Sequence, residues 1–119
     1  MSQFKVFQAK ISEKVYDYVN QVGHTKAAEV HPEYKISLNV KFRGGSRAWE
    51  SWMFEHYGLV CEIEAEDLNG VFHIGNMGPE EKITRIAPMH SISVGDIIED
   101  ENGVFHMVDS VGFSQVEVA

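Results

Sequence analysis

The run HSISVGDIIEDENGVFHMVDSVGFSQVEV, residues 90–118, carries a compact β signature. Ser91, Ile92, Ser93 and Val94 alternate polar and apolar into Gly95-Asp96, a pair with the chemistry of a turn or strand entry, and Ile97 and Ile98 continue the apolar run. Asn102-Gly103 has the composition of a tight hairpin turn, because both residues tolerate positive φ. Val104 to Val108 then reads as the returning strand. Gly112 reads as a bulge or close backbone approach before a last strand through Val116.

Upstream, Phe4 and Val6 predict a short first strand, and Ile11, Val15, Tyr18, Val19 and Val22 recur on one helical face. Ser12 suits the N-cap of a helix over 12–22, Ile11 could staple onto Tyr16, and Gly23 suits a left-handed residue past its end. Residues 34–43 alternate throughout and predict a strand. Tyr34, Ile36, Leu38, Val40 and Phe42 would face the core, with Lys35, Ser37, Asn39, Lys41 and Arg43 outward. A glycine turn from Arg43 to Arg47 leads into Trp49, Trp52, Met53, Phe54 and Tyr57, an aromatic patch on a short helix. Leu59, Cys61, Ile63 and Ala65 then point one way and Val60, Glu62 and Glu64 the other, a half-buried strand. Glu66 and Asp67 begin a short helix that buries Leu68, Val71 and Phe72 and closes at Gly75-Asn76. This order predicts an α+β fold: one small domain over 1–119, a mostly antiparallel sheet, two or three short helices and a C-terminal β hairpin.

The length of 119 residues suits a single core, and 44% hydrophobic with 24% charged residues is ordinary globular composition. The N-terminal residues lack the basic-then-apolar pattern of a signal peptide, and no apolar stretch is long enough for a membrane span. A cytoplasmic protein without membrane contact is expected, in a bacterial cell or a phage-infected host. The single Cys61 cannot close an internal disulfide, and its place on the apolar face reads as a packed thiol. The histidines at 24, 31, 56, 73, 90 and 106 lack the close pair spacings of zinc sites, so neither a metal nor a cofactor is expected. A net charge of −8 works against general attraction to phosphate.

The segment from Asp67 to Phe113 carries Leu68 and Phe72, Asn76 and Pro79, Ser91-Ile92-Ser93-Val94-Gly95-Asp96, Gly103, and Asp109-Ser110-Val111-Gly112-Phe113. In order and spacing it resembles the YodL-like domain over 67–113, departing at Gly95, where that pattern has a serine. It is also similar to small proteins encoded by marine bacteriophages, in which a phrase like NMGPEEKI followed by HSISVGDII recurs. Members of the YodL-like family are linked to mobile elements and, in one bacterial branch, to cytoskeletal interaction, with no catalytic residues assigned. The resemblance implies an accessory interaction protein rather than an enzyme. Its signature residues here are His90, Ser91, Ser93, Asp96, Asp109, Ser110, Gly112 and Phe113.

Three functions of different classes are open to these residues. The first is binding to a host or viral protein, or to a second copy of the chain, through the aromatic segment Trp49, Trp52, Phe54 and Tyr57 or the terminal strands. The second is RNA or single-stranded DNA binding in the manner of PUA and ASCH domains. Lys35, Lys41, Arg43 and Arg47 would hold phosphate and a tryptophan would stack a base, although Glu62 and Glu64 could instead pair with Lys35 and Lys41 across strands. The third is a small hydrolase built on His90, Ser91 and Asp109. No strained nucleophile elbow surrounds Ser91, and strand, turn and cap roles account for these side chains.

Overall fold

The computed structural model describes residues 2–11, 13–32, 34–36 and 45–118. Strand β1 (Ser2–Ala9) lies inside a six-stranded sheet, flanked by β2 (Tyr57–Ala65) and β4 (Ile97–Glu99). β3 (Ile83–Arg85) pairs outside β2, and β5 (Phe105–Val108) and β6 (Phe113–Val116) continue beyond β4. Every neighbouring pair is antiparallel, and β5 and β6 form the C-terminal hairpin of an α+β fold.

The alternation of β1 sends Phe4 and Val6 to one face of the sheet, and Phe7 and Ala9 to the other. Helix α3 (Leu68–Met77) covers the first face with Val71 and Ile74, over Cys61, Ile63 and Ile98. The 3₁₀ segment Ser51–His56 covers the second, where Met53 and Tyr57 join Ile97, Met107 and Val116. Ile63, Ile97 and Ile98 are fully buried, and each contributes about 2 kcal/mol of transfer free energy. Helices α1 (Glu13–Val22) and α2 (His24–Val30) meet at Gly23, whose φ of 88° allows the chain to reverse between them. Val15, Val19, Ala27 and Tyr34 form a third cluster there.

Several expectations are corrected. Tyr34–Ile36 is helical, not a strand, and the rest of 37–43 lies outside the described residues, as does Ser12. Tyr34 buries against α1 and α2 while Ile36 buries with Met53, so two separate clusters account for the apolar residues at 34 and 36. Val60 is buried beside Cys61 rather than turned away. A register shift sets Val6 opposite Cys61 and Phe7 opposite Leu59, leaving Val60 as the extra residue of a bulge. The Val60 carbonyl accepts the amides of both Ile86 and Ala87. Across the strands, Glu62 stands opposite Lys5, not Lys35. Phe72 and Val22 are exposed, and Ile74 takes the core position expected of Phe72. α3 runs past Gly75 to Met77 and ends at Gly78, φ 87°.

Candidate functional site

The segment from Trp49 to Tyr57 divides its aromatic side chains by depth. Tyr57 is 6% exposed and donates its hydroxyl to the Gly95 carbonyl at 2.6 Å. Burial, reinforced by the nearby Asp96 charge, raises its pKa. Phe54 is half-buried between Phe7 and Phe105, at ring separations of 5.0 and 5.4 Å, and stacks on Tyr57 three residues along, the eclipsed neighbour in a 3₁₀ turn. Trp49 sets its edge against Tyr57 and donates its indole N–H to the Glu117 carbonyl at 2.7 Å. Trp52 differs: it is 47% exposed. Its indole N–H donates to Glu50 at 2.7 Å and its ring meets His56 edge to face, which holds the side chain in place at the surface.

Beside Trp52 lies a groove of about 450 Å³ whose walls include Glu29, Lys35, Ile36, Glu50 and Met53. Two carboxylates and one ammonium therefore share a rim with an exposed indole. Of the expected basic strip, Lys35 is exposed in this groove and Arg47 is exposed in the 3₁₀ turn Gly45–Ala48; Lys41 and Arg43 lie outside the described residues.

Asn76, Asp96 and Asp109 act as internal staples. Gln8 and Asp96 are each 3% exposed, and the Gln8 amide donates to the Asp96 carboxylate and to the His90 carbonyl, both at 3.0 Å. The Ser93 amide donates to the same Asp96 oxygen at 2.9 Å. His90 Nδ1 lies 2.7 Å from the Ser91 carbonyl, a separation that requires the proton on Nδ1, so Gln8 does not donate to that nitrogen despite its 3.2 Å approach. Asn76 brackets Ile92, accepting its N–H at 2.7 Å and donating to its carbonyl at 3.1 Å. These side-chain bonds occupy backbone groups that a strand would pair. That is why 91–93 is not the strand its alternation suggests.

Asp109 accepts the backbone N–H of Ser46 at 2.8 Å and hydroxyl bonds from Ser46 and Ser114. Burial pushes its carboxyl up, but the bonds from Ser114 and Ser46 outweigh this and hold it below the usual carboxylate range. Gly112 has φ 71° in the turn before β6, where the Asp109 amide donates to its carbonyl; it is a turn residue rather than a bulge. Ser110 is exposed and Phe113 packs at the margin of the first core face. The His90 and Asp109 side chains of the hydrolase reading are engaged separately: Asp109 holds Ser46 and Ser114, while the His90 ring bonds the Ser91 carbonyl and its backbone bonds Gln8.

Cys61 is fully buried, and its thiol is pushed up to about 11, mainly by burial, so the thiolate is scarce at neutral pH. Among the described residues, no group of three or more His, Cys, Asp or Glu side chains is placed to hold a metal ion, and no helix is long and apolar enough to cross a membrane. Gln8, Gly75 and Asn76 are the residues whose roles the sequence concealed. Gln8 had one available signal, a polar residue continuing the core-facing register of Phe4 and Val6. Comparison with protein-family models, curated proteins and solved structures yields no match to this chain.

Proposed function

We propose that this protein acts by binding another protein through the surface around Trp52. The observation that carries this reading is the exposure of that indole beside the groove, while Met53 and Tyr57 on the same segment are core. Tryptophan is enriched among the few residues that dominate interface energetics, because a large rigid side chain is buried at low entropic cost. The resemblance of 67–113 to the YodL-like domain supports an accessory, non-enzymatic role of phage or mobile-element type, with a host or viral protein as partner in the cytoplasm of a bacterial cell. Internal bonding of Asp96 and Asp109 also favours a structural use of the signature over a catalytic one. Nucleic acid is the second reading, since Lys35 shares the groove with Trp52, but Glu29 and Glu50 in the same walls would repel phosphate.

The test is affinity capture by the tagged full chain from a bacterial host lysate, with and without nuclease, in parallel with Trp52→Ala. The expected result is a host protein that survives nuclease and is lost with Trp52→Ala, a substitution costing about 2 kcal/mol or more at an interface centre. Retention of the same protein by Trp52→Ala places the surface elsewhere. Recovery of nucleic acid that vanishes with salt supports the second reading instead.

A further inference from the structure

A second, open concavity of about 620 Å³ lies where the ends of β1 and β2 meet the start of α1 and residues 87–90. That volume is in the range of small-molecule sites. Leu59 and Met89 contribute apolar surface. Among the described residues, no Asp or Glu lines it, and the charged side chain of fixed sign that does is Lys10.

The polar side of this pocket is built in advance. The Lys10 backbone N–H donates to the His56 carbonyl at 2.8 Å, and the lysine stem lies across Gly58, where an added Cβ would stand 3.2 Å from both Cγ and Cδ. Gly58 thereby leaves room for the stem, while the ammonium stays exposed. Tyr16 borders the same space with much of its ring accessible. The bond from Nδ1 to the Ser91 carbonyl fixes the His90 ring as a wall.

We propose that this pocket binds a small amphipathic anion, with its carboxylate or phosphate head on Lys10 and Tyr16 and its apolar body over Leu59 and Met89. With Lys10 in the lining and no carboxylate there among the described residues, the site is locally attractive to an anion on a molecule whose overall charge is negative. The apolar surface selects against bare inorganic ions, which gain nothing from it. The site is separate from the groove at Trp52 and shares no residue with it.

The test is an amide-resolved NMR titration of the full chain with octanoate, octyl phosphate and the neutral control 1-octanol, each below its aggregation limit. Saturable shifts at Lys10, Gly58 and residues 87–90 are expected with an anionic probe, and the probe that produces them, octanoate or octyl phosphate, identifies the head group. Lys10→Met, which keeps the apolar stem, should weaken that binding about tenfold, the scale of one charge-assisted contact, whereas Lys10→Arg should retain most of it. The amide spectrum of each variant reports its folding directly. Equal affinity for 1-octanol, unchanged binding by Lys10→Met, or no saturable shift at these amides would overturn the proposal.

Discussion

Gln8 shows how one polar side chain on a core-facing strand position organises a loop. Its amide joins β1 to the buried Asp96 carboxylate and to the His90 backbone, so segment 90–96 is anchored at both ends. Gln8→Leu keeps the volume but removes a donor from a buried charge, and should lower stability by about 2–3 kcal/mol. Urea unfolding would show this as a lower midpoint with an unchanged slope. Gly75 answers a different question. Glycine inside a helix costs about 1 kcal/mol relative to alanine, yet a Cβ at this position would stand 2.2 Å from Ile92 Cδ1 and 3.2 Å from Ile63 Cδ1. Overpacking of about 1–3 kcal/mol outweighs the propensity gain, so Gly75→Ala should destabilise by about 1 kcal/mol. Combined with Ile92→Val, which removes Cδ1, the alanine should become close to neutral. A double-mutant cycle in which the two effects simply add would refute this contact.

The β4–β5 hairpin rests on Asp100 as much as on Gly103. One carboxylate oxygen accepts the amides of Asn102 and Val104 at 2.9 and 3.0 Å, and the other contacts His106 Nε2 at 2.9 Å. The bond with His106, aided by the two amides and opposed by burial, lowers the Asp100 pKa below its ordinary value of 3.8. A depressed carboxylate adds stability that is present above the unfolded-state pKa and is lost as pH falls through the folded value. Asp100→Asn should therefore cost about 1 kcal/mol at pH 7, with the gap to the parent narrowing below about pH 4, as thermal melts across pH would show. This hairpin and α1 were legible because turn chemistry and 3.6-residue periodicity are local properties. The helical turn at Tyr34–Ile36 was not, since its apolar residues face two different clusters. Val60 was hidden because a bulge has no mark in the strand that contains it. Segment 91–93 was hidden because its backbone partners are side chains of His90, Asn76 and Asp96, which no periodic pattern marks in the sequence.

At the level of the whole molecule, the sheet is organised around β1. Phe7 stands opposite Leu59 on one side and Ile97 on the other, so the interior strand depends on partners from the middle and the late part of the chain. A fragment ending at Asp96 should keep the β1–β2 pairing partners yet expose the other edge of β1, and unpaired edges recruit other chains. Size-exclusion chromatography should show it associating where the full chain elutes as a narrower species. The candidate surface was only partly readable at this scale. Composition located the aromatic cluster, but which ring faces outward depends on how Ser51–His56 is laid against β5, leaving Trp52 out and Tyr57 in. The pairing of Phe7 with Ile97 also bears on synthesis. As the polypeptide leaves the ribosome, β1 must wait for about 90 further residues before its second neighbour is translated. Until then the growing chain carries an unsatisfied strand edge that nascent-chain chaperones would be positioned to shield.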